Sequence, residues 1–198
     1  MTDNFNQQKT ESDLLFLKKL IEFAKENNWR VVVSGGYGMD FFLNKITRSH
    51  NDLDVIVYGK ENRVSVIKKL DRFIIGYFPK AKFLTKQETF YIEFDVKNPN
   101  FGANIYFVET EEDPFSNLNK VSKLDGEIVI NTEDNFPKPV KGKLGDLEVE
   151  VQDQNAHLAD ILVKHGDDKS PSKYDQDIIN LRQVTDSKKV ELLLKKSI

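Results

Sequence analysis

Apolar residues recur at helical spacing early in the chain. Leu14, Leu17, Ile21 and Ala24 share one face of a segment running to about Asn28. Thr10-x-x-Asp13 reads as a capping box and predicts where that helix starts. The period then shortens: Arg30 to Ser34 reads as a short buried strand, and Gly35-Gly36 as a tight turn. After Gly36, the residues Met39, Phe42, Leu43 and Ile46 give a second amphipathic helix. Leu53 to Tyr58 alternates as a second strand, and Val64, Ile67, Leu70 and Ile74 line a third helix from about Glu61 to Ile75.

A new strand pattern opens at Thr89. Phe90, Ile92, Phe94 and Val96 face one side, and Tyr91, Glu93 and Asp95 the other. The stretch from Asn98 to Gly102 predicts a turn, and Ala103 to Glu109 an antiparallel partner strand. Glu111 to Asn119 is acidic and loop-like, and Glu127 to Ile130 and Leu147 to Val151 read as short strands. Between them, around Pro137 and Pro139, the pattern is weakest. Beyond Val151 the chain turns helical. Leu158, Ile161, Leu162 and His165 form one face before Gly166; Tyr174, Ile178 and Leu181 form another; Val190 to Leu194 forms a last short helix.

The expectation is an α+β fold: a mixed sheet of about five strands flanked by helices, with further helices at the C-terminus. Residues 1–12 are expected to be a disordered start, 13–151 the sheet domain, and 152–198 a helical part packed on it.

Composition narrows the classes. The chain has 198 residues, 39% hydrophobic and with 14 phenylalanines, enough for a core in one domain. Its 29 basic and 32 acidic residues give a net charge of −3, which argues against a nucleic-acid-coating surface. There is no cysteine, so neither a disulfide framework nor a thiolate zinc site is available. A cytoplasmic protein is expected, since no apolar run approaches membrane-spanning length and the first residues are polar.

The candidate chemistry sits between Ser34 and Asp54. Asp52 and Asp54 are two apart on a strand and share a face, while Leu53, Val55 and Val57 point to the core. Adjacent carboxylates repel unless a cation lies between them. Magnesium takes one or two carboxylates plus substrate phosphates. The amides of a Gly-Gly turn at a helix start favour an anionic ligand. No Gly-Lys-Ser/Thr follows and there is no G-x-G-x-x-G, so neither the Walker nor the dinucleotide reading applies. The plain alternative is a tight turn followed by a solvated strand face. Glu93 and Asp95 likewise read either as the polar side of a half-covered sheet or as a source of a third carboxylate. His157 and His165 lack ligand partners at convincing spacing and read as structural.

The pattern GG-x3-D, then Thr47-Arg48-x-His50-x-Asp52-x-Asp54, resembles the nucleotidyltransferase superfamily that includes DNA polymerase β. The branch it resembles is the lincosamide and aminoglycoside nucleotidyltransferases. The resemblance covers the first half of the chain well and the rest loosely. It implies a nucleotidyltransferase fold and transfer of a nucleoside monophosphate, AMP by preference, from a triphosphate to a hydroxyl of a small acceptor. An aminoglycoside or lincosamide antibiotic is the implied acceptor class; nucleic acid is not expected. Two magnesium ions are implied, with manganese as a substitute.

By the same resemblance, Asp52 and Asp54 bind metal. Glu93 is the first choice for the third acid, as metal ligand or base, and Asp95 the second. Ser34, Gly35, Gly36, Arg48 and Lys173 contact the nucleotide. Arg48 pairs with a phosphate or a neighbouring carboxylate, His50 orients Asp52, and Asp40 matches the family's helix acid. Lys173 and Asp177 resemble a late Lys-Asp-x-x-Asp segment in which Tyr174 replaces the first acid. Two other classes stay open: a regulatory, antitoxin-like or inactive binding protein on the same fold, and an Asp-x-Asp sugar transferase, for which the Gly-Gly turn has no role.

Overall fold

The structure, a computed structural model, describes residues 7–87, 91–109, 138–165 and 174–196. Among these, six helices and seven strands form one mixed sheet in the order β3-β4-β5-β2-β1-β7-β6. The strands are β1 (Arg30–Ser34), β2 (Leu53–Gly59), β3 (Lys82–Gln87), β4 (Tyr91–Asn98), β5 (Phe101–Glu109), β6 (Val140–Leu144) and β7 (Leu147–Val151). The helices are α1 (Gln7–Glu26), α2 (Gly35–Leu43), α3 (Arg63–Tyr77), α4 (Gln154–His165), α5 (Asp175–Arg182) and α6 (Ser187–Lys196). Strand β2 runs antiparallel to β1 and parallel to β5, and β4–β5 is the predicted antiparallel pair. The β4–β5 hairpin closes with Asn98 opposite Phe101, so Phe101 and Gly102 belong to the strand rather than the turn.

Seven strands replace the five expected. β3 reads KFLTKQ, an edge strand mostly open to water, so it carries no sustained apolar alternation. β6 is a short edge strand with a glycine at its centre. The predicted strand at Glu127 to Ile130 and the loop at Glu111 to Asn119 lie outside the described residues.

The start of α1 also corrects the sequence reading. The helix already runs at Gln7, so residues 7–12 are not a disordered start; residues 1–6 lie outside the described residues. Thr10 and Asp13 are buried inside the helix. The Asp13 carboxylate accepts the Tyr37 hydroxyl at 2.7 Å and the Lys9 ammonium at 2.6 Å. The apparent capping box therefore ties α1 to α2 instead of initiating a helix.

Alternation along β2 is strict: Leu53, Val55 and Val57 are buried, and the residues between them are half-exposed. Helices α1 and α3, with Tyr37 and Phe41 of α2, cover that apolar face together with Ile92, Phe94, Ile105 and Phe107. Each fully buried large side chain of this kind contributes about 1.5–3 kcal/mol. Met39, on the face of α2 opposite Tyr37 and Phe41, packs instead with Leu158, Ile161, Leu181 and Val190 of the C-terminal helices. Helix α2 is thus held from two sides, and its N-terminus lies where β1 delivers it.

Candidate active site

Strand β1 passes into α2 without a loop: Ser34 ends the strand and Gly35 begins the helix. Gly35 has φ +62°, and a Cβ there would lie 2.5 Å from Asp54 Oδ2. Only glycine tolerates both demands. Gly36 has no such backbone constraint, yet a Cβ on it would lie 2.2 Å from His50 Nδ1 and 3.1 Å from Arg48 Nη2. The glycine pair therefore lets two cationic or polar side chains and a carboxylate close around the first turn of a helix. Ser34 caps that helix without a side-chain hydrogen bond. Its hydroxyl lies 3.5 Å from the Asp54 carbonyl, at the limit of an interaction. No side-chain cap competes for the helix's first N–H groups, which suits an anion.

Asp52 and Asp54 project from the start of β2 on the same half-exposed face, as their spacing requires. Between them stands Asn104 of β5, directly opposite Asp54. Its Nδ2 donates to Asp52 Oδ2 at 3.3 Å and to Asp54 Oδ1 at 3.0 Å, so one donor gathers both carboxylates. Sequence reading missed Asn104; its signal was a lone amide in the otherwise apolar run Phe101 to Val108, visible only once the register is known.

The next strand carries the two candidate third acids. Asp95 of β4 lies opposite Asn104, level with Asp54 and two strand spacings away, about 10 Å between backbones. Lys97 Nζ lies 2.9 Å from Asp95 Oδ1. The Lys97 pKa is raised, first by its bond to Asp95 and further by the fields of Asp52 and Asp54. One ammonium therefore senses all three carboxylates. Glu93 lies opposite Tyr106, one pleat farther along, and faces Lys86 at 3.4 Å. Of the two candidate acids, Asp95 is thus the one level with Asp54.

The Thr47-Arg48-Ser49-His50 loop is fixed by a carboxylate at its base. Asp40 is fully buried in α2. It accepts the Thr47 N–H at 3.0 Å, the Thr47 hydroxyl at 2.5 Å and His50 Nε2 at 2.6 Å. His50 therefore leans on Asp40 rather than orienting Asp52, and its ring packs on Tyr37 with centroids 4.5 Å apart. Burial, reinforced by the bond to Asp13, pushes the Tyr37 phenol well above its ordinary pKa. With Asp40 holding the loop, Arg48 reaches across to α5. It makes a forked pair with Asp177, at 2.9 and 2.7 Å, which raises the guanidinium pKa further. Arg48 thus pairs with a carboxylate that is itself almost fully buried.

These groups border a cleft of about 80 Å³, room for a phosphate-sized group. Gly36, Arg48, His50, Asp52 and Asp54 line one side, and His157, Ile161, Tyr174 and Asp177 of the C-terminal part the other. His157, read as structural from the sequence, is buried and also lines the cleft. Lys173 lies outside the described residues. Among the described residues no group of three or more His, Asp or Glu side chains is assembled to hold a metal. Nor is any helix among them long and apolar enough to cross a membrane.

The family model for aminoglycoside-2''-adenylyltransferases matches residues 16–114, half of the chain. A lincosamide resistance protein of Staphylococcus haemolyticus is 28% identical over 104 residues. That match takes in 50% of this chain and 62% of the relative, so the chain spans less than two thirds of that relative's length. Two solved structures share the fold along nearly the whole chain. ANT(2'')-Ia in complex with adenylyl-2''-tobramycin aligns with a TM-score of 0.62 at 14% identity, over 94% of this chain and 97% of that one. The lincosamide antibiotic adenylyltransferase LnuA, lincomycin-bound, aligns with a TM-score of 0.58 at 16% identity, over 92% and 100%.

Proposed function

The chain belongs to the aminoglycoside-2''-adenylyltransferase family, and on that premise we propose that it transfers AMP from ATP to a hydroxyl of a small antibiotic-like acceptor. The observation that carries this reading is the convergence of Asp52 and Asp54 on Asn104, one strand from a glycine turn that admits His50 and Arg48. The acceptor oxygen attacks the α-phosphorus, the bond to the β-phosphate oxygen breaks, and pyrophosphate leaves. The acceptor proton passes to a carboxylate; we assign that group to Asp95, level with Asp54.

The donor set fits a divalent cation. Asp52 and Asp54 supply two converging hard oxygens, and magnesium completes its shell with substrate phosphates and water, so a preassembled trio is not required. Such an ion, bound with the nucleotide, supplies neutralisation of triphosphate charge and a more acidic acceptor hydroxyl. The chain's own groups do the rest. The first turn of α2 offers N–H groups to the phosphates. Asp40 holds the loop that presents Arg48 and His50. Asp177 fixes the guanidinium plane until a phosphate competes for it. Ser34 contributes through the turn, and Lys173 is proposed as an additional cation on the triphosphate side.

The test is pyrophosphate release with each of four nucleoside triphosphates, magnesium and either small hydroxylated antibiotics or transfer RNA. Release with ATP and an antibiotic supports the reading. Release with RNA alone would overturn it, and tight ATP binding without turnover on any acceptor would mark a binding protein on this fold.

A further inference from the structure

Asn104 touches both carboxylates of the β2 pair, and it does so as a neutral group. It stands half-buried on β5, directly opposite Asp54. Its Nδ2 lies 3.0 Å from Asp54 Oδ1 and 3.3 Å from Asp52 Oδ2. An ionised carboxylate accepts hydrogen bonds and donates none, so the nitrogen of the amide, not its oxygen, must face the pair. The contact offsets part of the repulsion between Asp52 and Asp54 and adds no charge of its own. Asn104→Asp, a change of one atom, would instead bring a third negative group against the same two.

The other acids around the site already hold partners. Asp40, fully buried, takes Thr47 and His50. Asp177, almost fully buried, takes Arg48. Asp95 lies against Lys97, two strand spacings from Asp54. Among the described residues, no three acidic or histidine side chains stand together to hold an ion. The two negative charges of Asp52 and Asp54 match those of one divalent cation. The phosphates of a nucleotide complete the shell of such an ion. A second ion would need a further acid beside the pair, and the place nearest to both carboxylates belongs to an amide.

We infer that this site takes one divalent cation with the nucleotide rather than two, and that Asn104 sets the count. The inference rests on the transfer reading above and deepens it by fixing the number of ions. It departs from the two ions that the family resemblance implies, and the departure lies in a single side chain.

The test counts bound manganese by electron paramagnetic resonance, with one equivalent of an α,β-methylene ATP analogue per chain. The native chain is expected to bind one ion tightly, and Asn104→Asp two. In chelator, Asn104→Asp should melt below the native chain, because three carboxylates then converge with no donor between them. Manganese should raise its Tm more than it raises that of the native chain. Two tight ions on the native chain, or none, would overturn the inference, and that count needs no variant to fold. A folded Asn104→Asp that still binds one ion would overturn it as well. Pyrophosphate release from ATP on the native samples separates the two readings. One ion without turnover on any acceptor removes the transfer reading and leaves this one. Turnover with two ions on the native chain does the reverse.

Discussion

On the phosphate side of Asp52 and Asp54, the side chains that shape the cleft are held by buried partners: Asp40 takes Thr47 and His50, and Asp177 takes Arg48 through both its oxygens. At a neighbouring cleft, Gln8, Asn51 and Asn100 stand exposed on a helix end, a loop and a turn. The first side cannot change one group without stranding another in the interior, where an unpaired polar atom costs about 1–3 kcal/mol. The second can change residue by residue at little cost, because surface substitutions stay within about 0.5 kcal/mol. The geometry proposed to hold the triphosphate is therefore rigid, and the neighbouring cleft is cheap to alter.

The largest blow to this contrast falls at the junction. Asp54→Asn removes one of the two converging carboxylates and the partner of the glycine turn. Turnover is expected to drop about 10³-fold or more, equivalent to about 4 kcal/mol of transition-state stabilisation. The melting temperature should hold or rise, since the variant relieves repulsion with Asp52. Magnesium should no longer raise it in the presence of ATP. A fall in stability as large as the fall in turnover would mean that Asp54 is structural and the contrast misplaced.

Gly36→Ala strikes the rigid side next. Its Cβ would collide with His50 Nδ1 at 2.2 Å, and His50 cannot retreat without leaving Asp40. A displacement of about 1 Å in a positioned group costs roughly 10²-fold, and kcat/KM for ATP should fall by about that much. Wild-type kinetics for this variant, measured over a range of ATP concentrations, would show that the turn does not cradle phosphate.

Much of this was legible in the sequence because it is local. The spacing of Asp52 and Asp54 set their shared face, the glycine pair marked the turn, and the resemblance read from residues 34–54 agrees with the family match. What escaped was set by register and tertiary contact. Asn104 reaches the carboxylates only because β5 pairs in parallel with β2, and Asp177 meets Arg48 across 129 positions. Asp13 looked like a cap because its true partner, Tyr37, lies 24 residues on. His50 was assigned to Asp52, its near neighbour on the chain, when the helix turn of α2 had already placed Asp40 beneath it. β3 and β6 escaped because an edge strand buries too little to impose a pattern.

The pair between Arg48 and Asp177 tests how rigid the phosphate side is. Arg48→Ala strands Asp177 in a buried position and should cost about 3 kcal/mol of unfolding free energy. Asp177→Ala leaves the more accessible guanidinium, which still donates to the Ser49 carbonyl at 3.0 Å, and should cost less. Both should raise KM for ATP severalfold with a smaller change in kcat. Equal stability losses in denaturant titrations would show that Asp177 is not the buried partner.

The smallest expected effect separates the two acids of β4. Glu93 lies a pleat beyond Asp95, opposite Tyr106, and its nearest cation is the exposed Lys86 rather than the ammonium that senses Asp52 and Asp54. A carboxylate there stands farther from the level of Asp54 than Asp95 does. Glu93→Gln should therefore change kcat less than twofold, while Asp95→Asn, which removes the proposed base, should lower it about 10²-fold. Single-turnover measurements at saturating ATP isolate the chemical step from product release. If Glu93→Gln proves the more damaging of the two, the order first read from the sequence is right. The level position of Asp95 beside Asn104 would then be a feature of the sheet and not of the site.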